Sequence, residues 1–240
     1  ALTLPEKVRV PVASPPALEP LLAAHSERPE DLDALLDLSD ALLARRAYGQ
    51  AKGYLRQALE MAPGDARIHW AMGRMLSDLG DLSGAVESLA RAAELDDALA
   101  APNYLLANIL VRQQYLEEAV VRYERALARD PRYLQAYFNL AGLHARQTDY
   151  GLALGVLERG LENLPDEIEL LFQMGRVFFV QARYDEARKT LDRVLSLQPE
   201  RAEARELLAQ IHLNNRDGEQ ALAVLRQGLE HSPNSALLQA

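Results

Sequence analysis

Apolar and polar residues follow each other along this chain with the period of an α-helix, and the helical pattern itself recurs every 34 residues. Each recurrence reads as two amphipathic helices of about a dozen residues joined by a tight turn. Prolines mark the period at Pro29, Pro63, Pro131, Pro165, Pro199 and Pro233, and Asp97 stands at the position that this series skips. Alanines keep the same step at Ala51, Ala85, Ala119, Ala153, Ala187 and Ala221. A fixed period of this size is typical of stacked-repeat proteins.

The period divides most of the chain into six units, which are 32–65, 66–99, 100–133, 134–167, 168–201 and 202–235. Turns between the two helices of a unit are predicted at Tyr48–Gly49, Gly80–Asp81, Thr148–Asp149 and Asp217–Gly218. Each unit closes at its proline, which cannot continue the preceding helix but suits the start of the next one. The sequence therefore predicts an all-α protein, an α-solenoid of six tandem 34-residue helix-turn-helix units.

The two ends depart from the repeat. Residues 1–16 contain four prolines and no helical period, which predicts an extended arm or linker. Residues 17–31 match a second helix and predict an N-terminal capping helix from Ala17 to Arg28. Residues 236–240 begin a further first helix and stop, so we expect the natural protein, or a longer capping helix, to continue beyond them.

The unit pattern resembles that of the tetratricopeptide repeat (TPR) family. In the third unit the family positions are filled by Asn103 or Tyr104, and by Leu106, Ala107, Leu110, Ala119, Tyr123 and Pro131. The sequence departs from the pattern at Asp97, His144, Arg205 and His212, which puts the packing of single layers in question. The resemblance implies a right-handed superhelix with a concave groove that binds peptides.

Two sets of positions lie on different sides of each first helix, since successive residues turn by about 100°. Counting from the first residue of a unit, positions 4, 7, 8 and 11 carry the packing signature. Positions 2, 5, 9, 12 and 13 lie roughly 150° away and, by the family resemblance, line the groove. We call this second set the groove face.

The groove face carries aromatic rings at position 5, contributed by Trp70, Tyr104, Phe138 and Phe172, and arginines at Arg74, Arg112, Arg146 and Arg176. Rings anchor apolar groups and guanidinium groups bind carboxylates, so the predicted partner is a protein or peptide with acidic and apolar groups. Two alternatives stay open. Position 5 can also pack into the core, an interpretation as strong as groove exposure for Phe138 and Phe172 but weaker for Trp70 and Tyr104. Each arginine alone is explained by a solvated surface or a helix-surface ion pair.

Asn108 and Asn139 complete the predicted site. They stand 31 residues apart, like the two asparagines of the carboxylate-clamp repeats that hold a chaperone's C-terminal peptide. An amide offers a donor and an acceptor together to a peptide backbone. Tyr104, Glu169 and Gln173 stand where that clamp has basic residues, so we expect backbone binding by the Asn pair but no chaperone clamp.

Composition excludes several classes of function. The formal net charge of −9 and the lack of a basic stripe argue against nucleic-acid binding. The absence of cysteine excludes disulfides and thiolate chemistry, and the five histidines lack metal-ligand spacing. No phosphate-binding or nucleophile motif occurs. No apolar run approaches the roughly 18 residues of a membrane span. We therefore expect no metal, no cofactor, no catalysis and no membrane insertion.

Three functions remain. The leading one is a non-catalytic scaffold that binds a segment of another protein in its groove. The second is a targeting or assembly arm of a larger enzyme or envelope machine, and the third is self-association through residues 1–16. Scarce lysine and abundant arginine hint at a GC-rich bacterial genome, which leaves both the cytoplasm and the periplasm open.

Overall fold

The computed structural model describes residues 17–231. The predicted arm at 1–16 and the predicted start of a further helix at 236–240 lie outside the described residues. All regular structure within 17–231 is α-helical, which confirms the all-α prediction. The helices are α1 (Leu18–Glu27), α2 (Leu32–Ala44), α3 (Tyr48–Met61), α4 (Ala66–Leu79), α5 (Leu82–Leu95), α6 (Ala100–Arg112), α7 (Leu116–Arg129), α8 (Leu134–Arg146), α9 (Tyr150–Asn163), α10 (Ile168–Val180), α11 (Tyr184–Leu197), α12 (Ala202–Asn214) and α13 (Gly218–His231).

The described residues fall into two compact units, which we call the N-terminal unit (17–133) and the C-terminal unit (134–231). In the N-terminal unit, α2 pairs with α3, α4 with α5 and α6 with α7, and α1 packs against α2. First helices also contact each other, α2 with α4 and α4 with α6. The C-terminal unit repeats this scheme with the pairs α8/α9, α10/α11 and α12/α13, and with contacts of α10 to α8 and α12. Tandem helical hairpins thus form both units.

Each pair turns through the same hydrogen-bonded loop, a Schellman motif. In the first pair, Ala47 N–H donates to Leu42 O at 2.9 Å and Arg46 N–H donates to Leu43 O at 2.9 Å. Such a turn needs one residue in the left-handed region, and here Arg46 has a φ of 58°. The equivalent residues, each 34 positions further, are Gly80, Gln114, Thr148, Ala182 and Arg216, and all have positive φ. Five of the six are therefore not glycine.

This turn corrects two predicted loop positions. The predicted turn at Tyr48–Gly49 is wrong, because α3 already begins at Tyr48 and the turn lies at 45–47. Gly218 likewise is the first residue of α13, and Asp217 caps that helix by accepting from Gln220 N–H at 3.1 Å. Positions 46 and 216 are not glycine, so the sequence analysis placed these turns at the nearest glycines, Gly49 and Gly218, which belong to the following helices.

Consecutive pairs are joined by a turn in which proline takes the second place. Ala62 O accepts from Asp65 N–H at 3.1 Å around Pro63, and Asp130 O accepts from Tyr133 N–H at 3.1 Å around Pro131. Proline has a suitable φ for that place and needs no hydrogen bond there. The same bond, from Leu99 N–H to Asp96 O at 3.3 Å, forms around Asp97. The departure at Asp97 therefore leaves the turn intact.

Small residues set how closely the two helices of a pair approach. Ala51, Ala85, Ala119, Ala153 and Ala187 are fully buried. A Cβ added to Gly73 would lie 2.6 Å from Leu89 Cγ, and one added to Gly175 would lie 3.0 Å from Leu191 Cγ. The leucine side chains packed against these glycines leave no room for a larger residue, which explains the small-residue register in the sequence.

Polar residues at packing position 4 bond to the preceding turn. His69 Nε2 lies 2.9 Å from Pro63 O, and Arg205 donates through Nη1 to Pro199 O. Both bonds reach six residues back along the chain. Arg205, which departs from the family pattern, is thus buried with a hydrogen bond from its Nη1 to the backbone.

Candidate functional site

Trp70 and Arg74 lie together on the groove face of α4 in the N-terminal unit. The Arg74 guanidinium covers the Trp70 ring, with Cζ 4.7 Å from the ring centroid. Arg74 Nη1 also donates to Asp40 Oδ1 on α2 at 2.7 Å. Asp40 and Arg74 occupy position 9 of consecutive units, so the repeat places a carboxylate beside a guanidinium. Both side chains stay partly exposed, 46% for Asp40 and 31% for Arg74.

A second ion pair links α2 and α4 at position 2. Arg67 Nη1 donates to Asp33 Oδ1 at 2.7 Å, and Arg67 Nη2 donates to Asp65 Oδ2 at 2.7 Å. Asp65 also caps α4 by accepting from Arg67 N–H at 2.9 Å. These hydrogen bonds hold the pKa of the Asp65 carboxyl below its ordinary value. Arg67 and Arg74 thus both form ion pairs with carboxylates of the protein itself.

These side chains surround an open pocket of about 370 Å³. Its lining is Asp33, Leu36, Asp37, Asp40, Arg67, Trp70 and Ala71. Burial raises the pKa of the Asp40 carboxyl, and the Arg74 charge offsets this only in part. The pocket joins apolar surface to three carboxylates. Sequence reasoning singled out Trp70 and Arg74 but missed Asp33 and Asp37, although opposite charges 34 residues apart were a usable signal.

A second pocket, of about 420 Å³, lies away from the groove face. Residues of α1, α2 and α3 line it, among them Leu18, Leu42 and Tyr54. Gly49 and Gly53 contribute to its opening on α3, since neither carries a side chain. Because its lining holds no charged group, nothing there selects a particular ligand.

Tyr104 and Asn108 belong to a cluster of tyrosines at the end of the N-terminal unit. The Tyr104 ring centroid lies 5.0 Å from that of Tyr133 and 6.1 Å from that of Tyr123. Tyr123 Oη donates to Asn108 Oδ1 at 2.6 Å. Burial, followed by Tyr104 and Asp130, raises the pKa of Tyr133 to about 12. Asn108 and Tyr104 are half-buried, so this cluster presents only part of each side chain to solvent.

Tyr133 was missed because it precedes α8 and stands outside any first helix. Arg112, in contrast, ends α6 as an exposed side chain of the groove face. In the N-terminal unit, Arg67 and Arg74 are thus paired with aspartates, whereas Arg112 is exposed.

In the C-terminal unit, two of the rings predicted to line the groove take the alternative core position. Phe138 is 3% exposed and Phe172 is 6% exposed, so both are core residues. The core interpretation of position 5 therefore holds for these phenylalanines, whereas Trp70 and Tyr104 are half-buried. A phenyl ring has no polar edge to keep near solvent, which allows complete burial at this position.

Arg176, predicted to line the groove, is only 5% exposed. Its guanidinium carbon lies 5.9 Å from the Phe172 ring centroid, and its Nη1 donates to Gln173 Oε1 at 3.3 Å. Burial lowers the pKa of Arg176. Arg201 covers the same ring at 4.5 Å and forms a two-point ion pair with Glu169, with N···O distances of 2.5 and 3.1 Å. Two guanidinium groups and one carboxylate thus surround Phe172.

Asn139 and Arg146 lie on α8 of the C-terminal unit. Asn139 is half-buried and Arg146 is exposed at the last residue of the helix. Binding of a peptide backbone by Asn108 and Asn139 stays a prediction.

The described residues hold no group of three or more His, Asp or Glu side chains placed to bind a metal ion. His144 and His212 occupy helices α8 and α12 singly, and His144 is buried. No helix within residues 17–231 has the length and apolar character needed to cross a bilayer.

Sequence profiles described as tetratricopeptide repeat match residues 42–109, 104–168 and 172–236. The chain belongs to the tetratricopeptide repeat family. TPR proteins bind protein or peptide partners and are typically non-catalytic scaffolds. No curated protein sequence matches significantly.

Solved TPR structures share the fold. PilF of Pseudomonas aeruginosa matches with a TM-score of 0.69 and 24% identity over 89% of this chain and 97% of its own. PilW, described as a type IV pilus biogenesis factor, matches with a TM-score of 0.66 and 21% identity over 87% and 96%. YrrB, described as a TPR protein with an unusual peptide-binding site, matches with a TM-score of 0.60 and 24% identity over 77% and 95%. At these identities the likeness concerns the fold.

Proposed function

We propose that this TPR chain is a non-catalytic scaffold that binds extended segments of other proteins on the groove faces of its first helices. The observation that carries this proposal is the open pocket of about 370 Å³ on the groove face of α2 and α4. It places a half-buried tryptophan and three carboxylates around space that a side chain can enter. TPR membership supports a protein or peptide as the partner.

The pocket of the N-terminal unit changes the partner chemistry expected there. Its arginines at 67 and 74 already pair with aspartates, so the excess charge around the pocket is negative. Apolar side chains flanked by a basic group suit this pocket, whereas acidic groups are drawn to the exposed Arg112 and Arg146. The proposed partner therefore has an apolar anchor and charges of both signs.

The proposal is tested on an array of short peptides with both ends blocked, probed with the tagged protein. Arg112→Glu and Arg146→Glu are measured separately, because they belong to different units. We expect each to weaken binding of acidic peptides about tenfold, a change of about 1.4 kcal/mol. The single tryptophan offers a second readout, since peptides that enter the pocket change the fluorescence of Trp70.

Matched controls are Arg125→Glu on α7 and Arg226→Glu on α13, which make the same charge change at exposed positions of second helices. Both should bind as the wild-type protein does. Equal losses in the control and test variants would mean that net charge matters and the groove face does not. Failure of the wild-type protein to bind any peptide would overturn the proposal.

A further inference from the structure

One side of the pocket on α2 and α4 is acidic. Asp33, Asp37 and Asp40 are spaced by four and three residues along α2, which places them on one face of the helix. All three line the open pocket of about 370 Å³. Asp33 and Asp40 pair with arginines of α4, whereas Asp37 is exposed and forms no ion pair within residues 17–231. The pocket therefore keeps one carboxylate without a counter-ion.

The two paired aspartates keep the capacity to accept a further hydrogen bond. Asp33 accepts from Arg67 through Oδ1 at 2.7 Å. Asp40 accepts from Arg74, also through Oδ1, at 2.7 Å. Their side chains stay 76% and 46% exposed. A carboxylate has about four lone-pair sites, so a cationic ligand can bond to Asp37 and to a neighbouring aspartate at the same time.

Negative charge is in excess around this pocket. Arg67 also bonds to Asp65, outside the lining, so four carboxylates share two guanidinium groups. Burial raises the pKa of the Asp40 carboxyl, Arg74 opposes this rise, and the charge of Asp37 adds to it. A cation bound beside Asp37 would reduce the repulsion between these two carboxylates.

The rest of the lining is apolar. It consists of Leu36 and Ala71, which are buried, and of Trp70, which is half-buried. Tryptophan attracts cations more strongly than other aromatic residues do, and Arg74 already lies over this ring at 4.7 Å. Arginine and lysine lay their aliphatic stems on apolar surface and keep their charged ends near solvent. Such a side chain matches both parts of the pocket.

The cation that suits this pocket is an organic one. Within residues 17–231, no three carboxylate or histidine side chains are placed to hold a metal ion together. The volume of about 370 Å³ lies near the lower end of the roughly 300–1,000 Å³ found for small-molecule sites. A space of this size, open to solvent, suits one side chain that projects from an extended segment.

We propose that this pocket is a receptor for one arginine or lysine side chain of the bound segment, with its charged end at Asp37 and its stem on Trp70. The inference rests on the proposed peptide-binding function and names the side chain that enters its pocket. An arginine or lysine supplies the apolar part and the basic group in one residue. Asp37 is the deciding carboxylate, because the other two already have partners.

Peptides with blocked ends and a single varied position test this receptor. Sequences that bind the wild-type protein on the array are remade without tryptophan, with arginine, lysine, citrulline or norleucine at that position. Citrulline and norleucine keep the shape of arginine and lysine but carry no charge. Each titration is followed by the fluorescence of Trp70, the single tryptophan. We expect the arginine and lysine peptides to bind at least about tenfold more tightly than their uncharged analogues.

Asp37→Asn removes the charge and keeps the size of the side chain. Because Asp37 is exposed, the variant should fold as the wild-type protein does, which circular dichroism checks. We expect it to weaken binding of the arginine and lysine peptides about tenfold and to keep the uncharged analogues within about threefold. Glu87→Gln is the matched control, since it makes the same charge change at an exposed position of α5. It should bind all four peptides as the wild-type protein does.

The outcomes separate the receptor from the scaffold function. Array binders without arginine or lysine, or binders that tolerate citrulline and norleucine, leave the scaffold function standing and overturn the receptor. Equal effects of Asp37→Asn and Glu87→Gln also overturn it, because net charge or no charge at all then explains the binding. Basic peptides that bind on the array but leave Trp70 fluorescence unchanged bind elsewhere and contradict it too. A wild-type protein that binds no peptide overturns both proposals.

Discussion

The two units place the same residue types at the same repeat positions and use them differently. In the N-terminal unit an aromatic ring and an arginine at positions 5 and 9 lie at the surface, with the arginine neutralised by Asp40. In the C-terminal unit the corresponding Phe172 and Arg176 are buried. A ring that stays partly exposed can anchor a ligand, whereas a buried ring stabilises the layer. The repeat register decides which face a residue occupies, but neighbouring side chains decide whether a ligand can reach it.

The largest expected difference between the units concerns the two rings. Phe172→Ala should lower the free energy of unfolding by about 3–5 kcal/mol, because it removes a buried ring and leaves a cavity. Trp70→Ala should cost only about 1–2 kcal/mol, because Trp70 is half-buried. Chemical denaturation followed by circular dichroism measures both without depending on the single tryptophan. Leu222→Ala, at a residue 54% exposed, is the control and should cost less than about 0.5 kcal/mol. Similar losses for the two variants would contradict the difference in burial between Phe172 and Trp70.

The turns within helix pairs give a second, smaller contrast. Gly80 has a φ of 85° in the N-terminal unit, and Ala182 has a φ of 57° at the equivalent place of the C-terminal unit. Gly80→Ala should destabilise by about 1 kcal/mol, because a Cβ strains this conformation. Ala182→Gly should raise the free energy of unfolding by about 0.5–1 kcal/mol. Glycine relieves the strain of a positive φ, and this gain exceeds the loss from its greater freedom in the unfolded chain. Thermal unfolding of the two variants checks the opposite signs, and a change of the same sign in both would contradict the shared turn.

The smallest expected effect is a pH dependence at Asp40. Burial raises the pKa of this carboxyl above its unfolded value, so the folded protein binds a proton more readily than the unfolded chain between those two values. Stability relative to Asp40→Asn should therefore shift in favour of the wild-type protein as the pH falls from neutral towards the ordinary pKa of an aspartate, about 4. Unfolding of both proteins across this range measures the shift. A shift in favour of Asp40→Asn would mean that the ion pair with Arg74 outweighs burial.

Much of the fold was predictable from the sequence, because a pattern recurring every 34 residues averages out local ambiguity. The helices and the turns at Gly80 and Thr148 followed from it. The turns at Arg46 and Arg216 were misplaced, because the nearby glycines, Gly49 and Gly218, lie in the following helices and not at the left-handed position.

The candidate site was predictable only as a set of positions. Helical geometry placed Trp70 and Arg74 on one face, and the structure brings them into contact. The burial of Phe138 and Phe172 was not predictable from register, because it depends on side chains from other helices. Tyr133 was missed for a related reason, since it stands between helices, where helical periodicity gives no information.

The Schellman turn also makes this chain well suited to spectroscopy. Main-chain hydrogen bonds close the turn whichever side chain occupies its left-handed position. The non-glycine residues at that position are all exposed, namely Arg46, Gln114, Thr148, Ala182 and Arg216. The sequence contains no cysteine and one tryptophan. A single cysteine at any of these places gives a unique attachment point for a spin label or dye, and five of the six helix pairs offer one such place. Distances measured between two such labels would report directly how the layers move when a ligand binds.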